Sequence, residues 1–389
     1  MMQKHTRHLV GSLLVGAFVL GACGTDDDTS SSDTGVTDVT STPDTTGTTD
    51  TTGTTDPSAA TATTEVSSDS TDSSDSTDST DAGGTITVYT GRHYGIEPVF
   101  DKFTADTGIE VRFTTGNDPE LRERLIAEGA NTPADVVMTA DAANIELAAD
   151  AGILASVDSD ILTETIPEAL RSEDNDWFSL SRRARVIIAS TERVTNPPTT
   201  YAGVGDPEWQ GKLCLRPSTH PYTQSLVASL IIAEGEARAT EIVQSWVDND
   251  PLYINSDTDI YNAVADGECD IAIANTYYLG RLLTENPDFP VGIVWPEQEG
   301  RGAHINVSTA AVTANAPNPE GALALIEWLA TDGQQQFADA NFEYPADPNV
   351  EPNEIVVGFG EFTADLAAVR QLGANQPAAI GVLSATGYE

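Results

Sequence analysis

The stretch TITVYTGRHYGIEPVFDKFTADTGIEVRFTTGNDPELRERLIAEGANTPADVVMT, residues 85–139, decides the fold class. Thr85-Ile-Thr-Val-Tyr89 reads as a strand. From Glu97 to Asp106, Val99, Phe100 and Phe103 share one helical face, and Gly108 suits a C-terminal cap. A strand around Val111–Thr114, a helix from Pro119 to Glu128 and a strand over Ala134–Thr139 complete the run. This βαβαβ rhythm predicts a sheet with helices on its faces.

The rhythm returns further along. Lys212–Leu215 and Cys269–Ala274 are strand-like, with a helix predicted over Thr223–Glu234 between them. Ile305–Thr313 is a long β-prone run, followed by a helical stretch between Pro317 and Ala340 with Pro319 near its start. The roughly 300 residues from Thr85 onward exceed one simple core and suit two lobes. Arg183–Ser190 and His304–Thr313 are the extended segments expected to cross between lobes as a hinge. The predicted architecture is α/β, with residues 85–182 and 301–345 in one lobe and 183–300 and 346–389 in the other. Such lobes form a cleft that can close on a ligand.

The start of the chain bears on location. Lys4 and Arg7 precede an apolar run from Leu9 to Leu20, too short for a permanent membrane span and suited to a signal-peptide core. It ends in Leu20-Gly21-Ala22-Cys23, which looks like a bacterial lipobox. Residues 1–22 therefore read as a lipoprotein signal peptide and Cys23 as the lipidated residue; a plain secretory signal is the alternative. Residues 23–84 read as a disordered tether of Thr, Ser, Asp and Gly that cannot bury enough apolar surface to fold. About 60 such residues reach on the order of 40–45 Å. The expected location is extracytoplasmic, lipid-anchored to the cell membrane.

The formal charge is −43, and Gly24–Gly84 has no Lys or Arg. Nucleic acid is an unsuitable partner for so acidic a chain, because phosphate binding rests on clustered Lys and Arg. With Cys23 lipidated, Cys214 and Cys269 remain as a pair, which outside the cytoplasm favours a disulfide over two free thiols.

Enzyme signatures are missing: the chain has no G-x-S-x-G elbow, P-loop, H-E-x-x-H or C-x-x-C. Tyrosine is more informative. Tyr94 follows His93 beyond the first strand, Tyr222 follows the strand ending near Leu215, and Tyr277 and Tyr278 follow the strand ending near Ala274. Open α/β sheets bind ligands beyond the carboxyl ends of their strands, so four phenols from three loops can meet in one crevice. Each motif alone also has an ordinary reading: a polar loop at His93-Tyr94, turn packing at Tyr222, one core and one surface ring at Tyr277-Tyr278. Together they suit Fe³⁺, a hard ion that favours anionic oxygen and can hold phenols deprotonated. Four phenolates on Fe³⁺ leave a net negative charge, which a nearby Arg would offset. Arg281 and the cluster Arg182, Arg183 and Arg185 are candidates, with surface or interlobe salt bridges the competing role for the cluster.

These residues carry a family resemblance. The first half holds Arg92-His-Tyr94, Thr132-Pro-Ala-Asp-Val-Val-Met-Thr139 and Arg183-Ala-Arg-Val186. The second holds Tyr222-Thr-Gln-Ser-Leu226, Ala274-Asn-Thr-Tyr-Tyr278, Gly300-Arg-Gly-Ala-His-Ile-Asn306 and Ala316-Pro-Asn-Pro-Glu-Gly321. From Thr85 to about Tyr344 the chain resembles the ferric-iron-binding solute-binding proteins of ABC importers, in the subgroup rich in tyrosine. The resemblance implies a two-lobed periplasmic-binding-protein fold, Fe(III) as cargo, and Tyr94, Tyr222, Tyr277 and Tyr278 as ligands with His93 as a fifth. It implies Arg183 and Arg281 as the cations beside the metal, and an ABC importer permease as partner of a monomer that does no chemistry of its own. Two departures stand out. His220-Pro221 precedes Tyr222, so His220 either competes with His93 or has no metal role, and the likeness fades after Tyr344. The alternative function is a binding protein of the same fold for another small anion or an organic cation. A cell-surface enzyme is the rival from a different class.

Overall fold

The computed structural model describes residues 84–92 and 96–389. The expectations for residues 1–22, for Cys23 and the tether to 83, and for His93 and Tyr94 fall outside the described residues. The first strand, β1 (Thr85–Thr90), buries Ile86, Val88 and Tyr89. It pairs in parallel with β2 (Glu110–Thr115) on one side and β3 (Val136–Thr139) on the other. The helix Glu97–Thr107 buries Val99, Phe100 and Phe103 and ends at Gly108, whose φ of 77° is left-handed. Each such ring taken from water contributes roughly 1.5–3 kcal/mol.

The strand β4 (Phe178–Ser190) is the spine of the molecule. The remaining strands are β5 (Leu213–Leu215), β6 (Leu252–Tyr253), β7 (Ile271–Asn275), β8 (Val291–Val294), β9 (Ile305–Val312) and β10 (Tyr344–Pro345). Their order is β2-β1-β3-β9-β4-β7-β5-β6, with β8 and β10 also paired to β4. From Phe178 to Ala184, β4 runs antiparallel to β9; from Arg185 it changes partner to β7 and β8. One half of the sheet is thus built on β1, β2, β3, β9 and β10, and the other on β5 to β8. Tyr201 fastens the change-over: its hydroxyl donates to the Arg185 carbonyl at 2.6 Å and accepts the His304 N–H at 3.0 Å.

Two elements differ from expectation. The helical stretch between Pro317 and Ala340 is two helices, Pro319–Ala330 and Gln334–Asp339. The first ends at Thr331 and the second starts from Gly333, where Trp328 packs so closely that an added Cβ would sit 2.2 Å from the indole. The helix predicted from Thr223 starts at Pro221, since proline suits the first helical position and His220 caps it. Cys214 and Cys269 form a disulfide, with Cα atoms 5.9 Å apart. The last helix, Leu372–Thr386, packs against Ala142–Asp150 on one side and against Pro221–Glu234 and Glu236–Asp248 on the other. Among the described residues no helix is long and apolar enough to cross a membrane.

Candidate functional site

Two helix starts bring the predicted tyrosines together. Pro221–Glu234 begins after β5 and carries Tyr222 in its first turn; Thr276–Glu285 begins directly after β7 and carries Tyr277 and Tyr278. Their N-terminal turns face each other, and the hydroxyls of Tyr222 and Tyr277 lie 3.1 Å apart. Tyr278 stacks on Tyr277 with ring centroids 4.2 Å apart. Three phenols thus share one locality, where helix N-termini favour negative charge.

Cations surround them. Arg183 and Arg185 lie 5.5 and 5.7 Å from the Tyr222 ring centroid, and Arg281 lies 5.2 and 5.5 Å from the rings of Tyr277 and Tyr278. Among the described residues no group of three His, Cys, Asp or Glu side chains could hold a metal ion, so the converging donors here are phenols.

His220 caps a helix. Its Nδ1 accepts the Tyr222 N–H at 3.1 Å, capping the helix that presents Tyr222. Burial, aided by Arg216 and then Arg185, pushes its pKa down to about 2, so the ring stays neutral and can accept. His304 is deeper still. It is 1% exposed, and burial with Arg301, Arg185 and Arg183 nearby holds it well below the ordinary value.

The supporting polar shell escaped the reading of the sequence. Asp257 is fully buried; its Oδ2 accepts from Arg185 Nη1 at 2.6 Å and from the Asn275 N–H at 3.0 Å. One carboxylate therefore holds both the cation beside Tyr222 and the residue before the Tyr277–Tyr278 helix. Tyr261 donates to the Asn275 carbonyl at 3.2 Å, fixing the same turn. In the other half, Arg92 is buried and donates to Glu343 Oε2 at 2.9 Å and to the hydroxyls of Ser181 and Ser308, both at 2.8 Å. Burial alone would raise the Glu343 carboxyl, but Arg92 and Arg183, with bonds from Ser181 and Asn341, hold it below the ordinary value. Arg92 stood in a quoted motif and Arg185 in the basic cluster; Asp257 and Glu343 gave no signal in so acidic a chain.

An α/β sheet in two halves joined by a continuous strand, with phenols and guanidinium groups gathered at helix starts, defines a binding protein with a polar site. The fold is the two-lobed α/β fold of periplasmic binding proteins. The chain belongs to the bacterial extracellular solute-binding protein family, whose model matches residues 99–361. It is 42% identical over 316 residues to iron uptake protein A1 of Synechocystis, covering 78% of this chain and 87% of that one. It is also similar to the solved Trichodesmium IdiA/FutA in complex with iron and citrate ligands, at 38% identity and a TM-score of 0.74, over 79% of this chain and all of that one. The ferric binding protein from Campylobacter jejuni matches with a TM-score of 0.73 and 33% identity, over 78% of this chain and all of that one.

Proposed function

We propose that this protein captures ferric iron outside the cytoplasm and delivers it to the permease of an ABC importer, without chemistry of its own. The observation that carries the reading is the meeting of the Tyr222 and Tyr277 hydroxyls at 3.1 Å, with Tyr278 stacked alongside and arginines at the ring faces. Fe³⁺ would be held by the phenolates of Tyr222, Tyr277 and Tyr278, joined by Tyr94 and His93, which follow β1 in the sequence. Arg183 and Arg281 would offset the excess negative charge, as guanidinium groups that never deprotonate. Relatives named for iron uptake and ferric binding support the choice of cargo.

In this reading residues 85–182 and 301–345 form one lobe, and 183–300 with 346–389 the other. Tyr94 then reaches the ion from the first lobe and the other tyrosines from the second. A bound ion favours the closed form only to the extent that it touches both lobes. Residues 1–22 act as the signal peptide and the lipidated Cys23 moors a monomer to the membrane through the tether 23–84.

The test is the visible absorption of the full chain titrated with ferric citrate, beside a variant with Tyr222→Phe, Tyr277→Phe and Tyr278→Phe. A phenolate-to-iron charge-transfer band that saturates at one equivalent and vanishes in the variant is the expected result. No band in the parent chain sinks the ferric reading.

A further inference from the structure

Between the helix Gln334–Asp339 and β10, three successive residues make a connection that packing alone does not require. Asn341 is fully buried. Its Oδ1 accepts from Arg281 Nη2, and its Nδ2 donates to Glu343 Oε1 at 2.6 Å. Phe342 takes a left-handed φ of 53° and lies over Gly280, where an added Cβ would meet the Phe342 Cβ at 2.6 Å. Glu343 uses its other oxygen to accept from Arg92 at 2.9 Å, as well as from Ser181 and Ser308. An unbroken run of hydrogen bonds therefore links the half-buried Arg281 to the buried Asn341, Glu343 and Arg92. It begins at the guanidinium over Tyr277 and Tyr278 and ends at the residue immediately before His93.

The run also joins the two halves of the sheet. Arg281 and Gly280 belong to the helix that follows β7, whereas residues 341–343 lead into β10, which pairs with Ser181 and Arg182 at the other end of β4. The chemistry at position 341 is narrow. An amide both accepts from a guanidinium and donates to a carboxylate; an ionised Asp only accepts, a Lys only donates, and an aliphatic side chain does neither.

We propose that Asn341 is a positioning residue that holds the Arg281 guanidinium against the Tyr277–Tyr278 pair while the two lobes are closed. The inference rests on the reading of those tyrosines as ferric ligands. Opening the lobes parts Asn341 from Arg281 and Phe342 from Gly280. The guanidinium then loses its bond to Asn341, and its hold over the phenolates weakens as the cleft opens. Retention of the ion and closure of the cleft become one event rather than two.

The experiment measures iron release from the full chain to excess EDTA, followed at the charge-transfer band, for the parent, Asn341→Ala, Arg281→Gln and the double variant. Asn341→Ala is expected to release iron about 10- to 100-fold faster, the range for losing one hydrogen bond to a charged group. Because Asn341 acts through Arg281, the double variant should be no faster than Arg281→Gln alone. Independent, multiplying effects overturn the proposal, as does an unchanged rate in Asn341→Ala. Asn341→Asp separates positioning from general structure, and serves alone where the alanine variant does not fold. It keeps the acceptor for Arg281 while setting a second carboxylate beside Glu343. Release near the parent rate supports the proposal; release as fast as Arg281→Gln overturns it. Hydrogen exchange of the iron-free chain tests the bridge without the metal. Asn341→Ala should speed exchange over residues 276–285 at least about 10-fold and leave β1 and β3 unchanged, and equal exchange there sinks the bridge. A parent chain that shows no charge-transfer band, with faster exchange in the variant, condemns the ferric reading and leaves the bridge standing.

Discussion

Tyr222 and the Tyr277–Tyr278 pair meet hydroxyl to hydroxyl, yet their neighbouring cations are secured in different ways. Arg185, beside Tyr222, is bonded to Asp257, to Asn275 Oδ1 at 3.3 Å and to the Ile273 carbonyl at 3.0 Å. Those partners follow the strand's change-over and lie in the half that carries the tyrosines. Arg281, over the pair, is held by Asn341 from the opposite half. The first arrangement lies within one half of the molecule; the second joins one half to the other. A site with both can stay preorganised for capture and still let go.

The largest expected effect lies with the arrangement inside one half. Asp257→Ala leaves Arg185 charged and buried without its carboxylate and also removes the acceptor of the Asn275 N–H. A loss of roughly 3–5 kcal/mol in urea unfolding is expected. Asn341→Ala in the same assay should cost about 1–3 kcal/mol, since it strands hydrogen-bonding groups but leaves the Arg92–Glu343 ion pair intact. If the two variants cost the same, the contrast between support within one half and support across the halves is lost.

Acid sharpens the comparison on the Tyr222 side. The folded-state pKa of His220, about 2, lies below its ordinary 6.5, so below about pH 6.5 the unfolded chain binds the proton first. Stability from this residue is full above pH 6.5 and falls as the pH drops toward 2. His220→Asn keeps a side-chain oxygen for the Tyr222 N–H without that proton. By pH 5 the parent should have lost roughly 1–2 kcal/mol more than the variant, measured as the pH dependence of urea unfolding. The smallest effect is expected away from both regions: Lys102→Ala removes an exposed pair with Asp106 and should leave the urea midpoint of unfolding unchanged.

Much of the scaffold was legible because it rests on local pattern. Val99, Phe100 and Phe103 repeat at helical spacing and are buried as that spacing predicts. Tyr222, Tyr277 and Tyr278 were legible because each follows a β-prone run, and the structure brings these three together. The break between Ala330 and Gln334 was hidden because Trp328, which packs on Gly333, also continues the apolar periodicity of the helix. Asn341 was hidden for a different reason. Its partner Arg281 is 60 residues away in sequence, and nothing local distinguishes a bridging amide from one of many polar loop residues. Asp257 and Glu343 look like ordinary members of a chain with 61 acidic residues until the fold surrounds them with arginine.

The disulfide has a bearing on how the protein is handled. Cys214 and Cys269 are 55 residues apart and tie the three-residue β5 to the chain just ahead of β7. Closing a loop of that length in the unfolded chain contributes roughly 4 kcal/mol in the chain-entropy account. Material made in a reducing cytosol and material exported to an oxidising compartment would then be two preparations of one sequence, differing in shelf life and heat tolerance. Any comparison of iron affinity between batches needs a thiol assay beside it, because the helix that presents Tyr222 begins seven residues after Cys214.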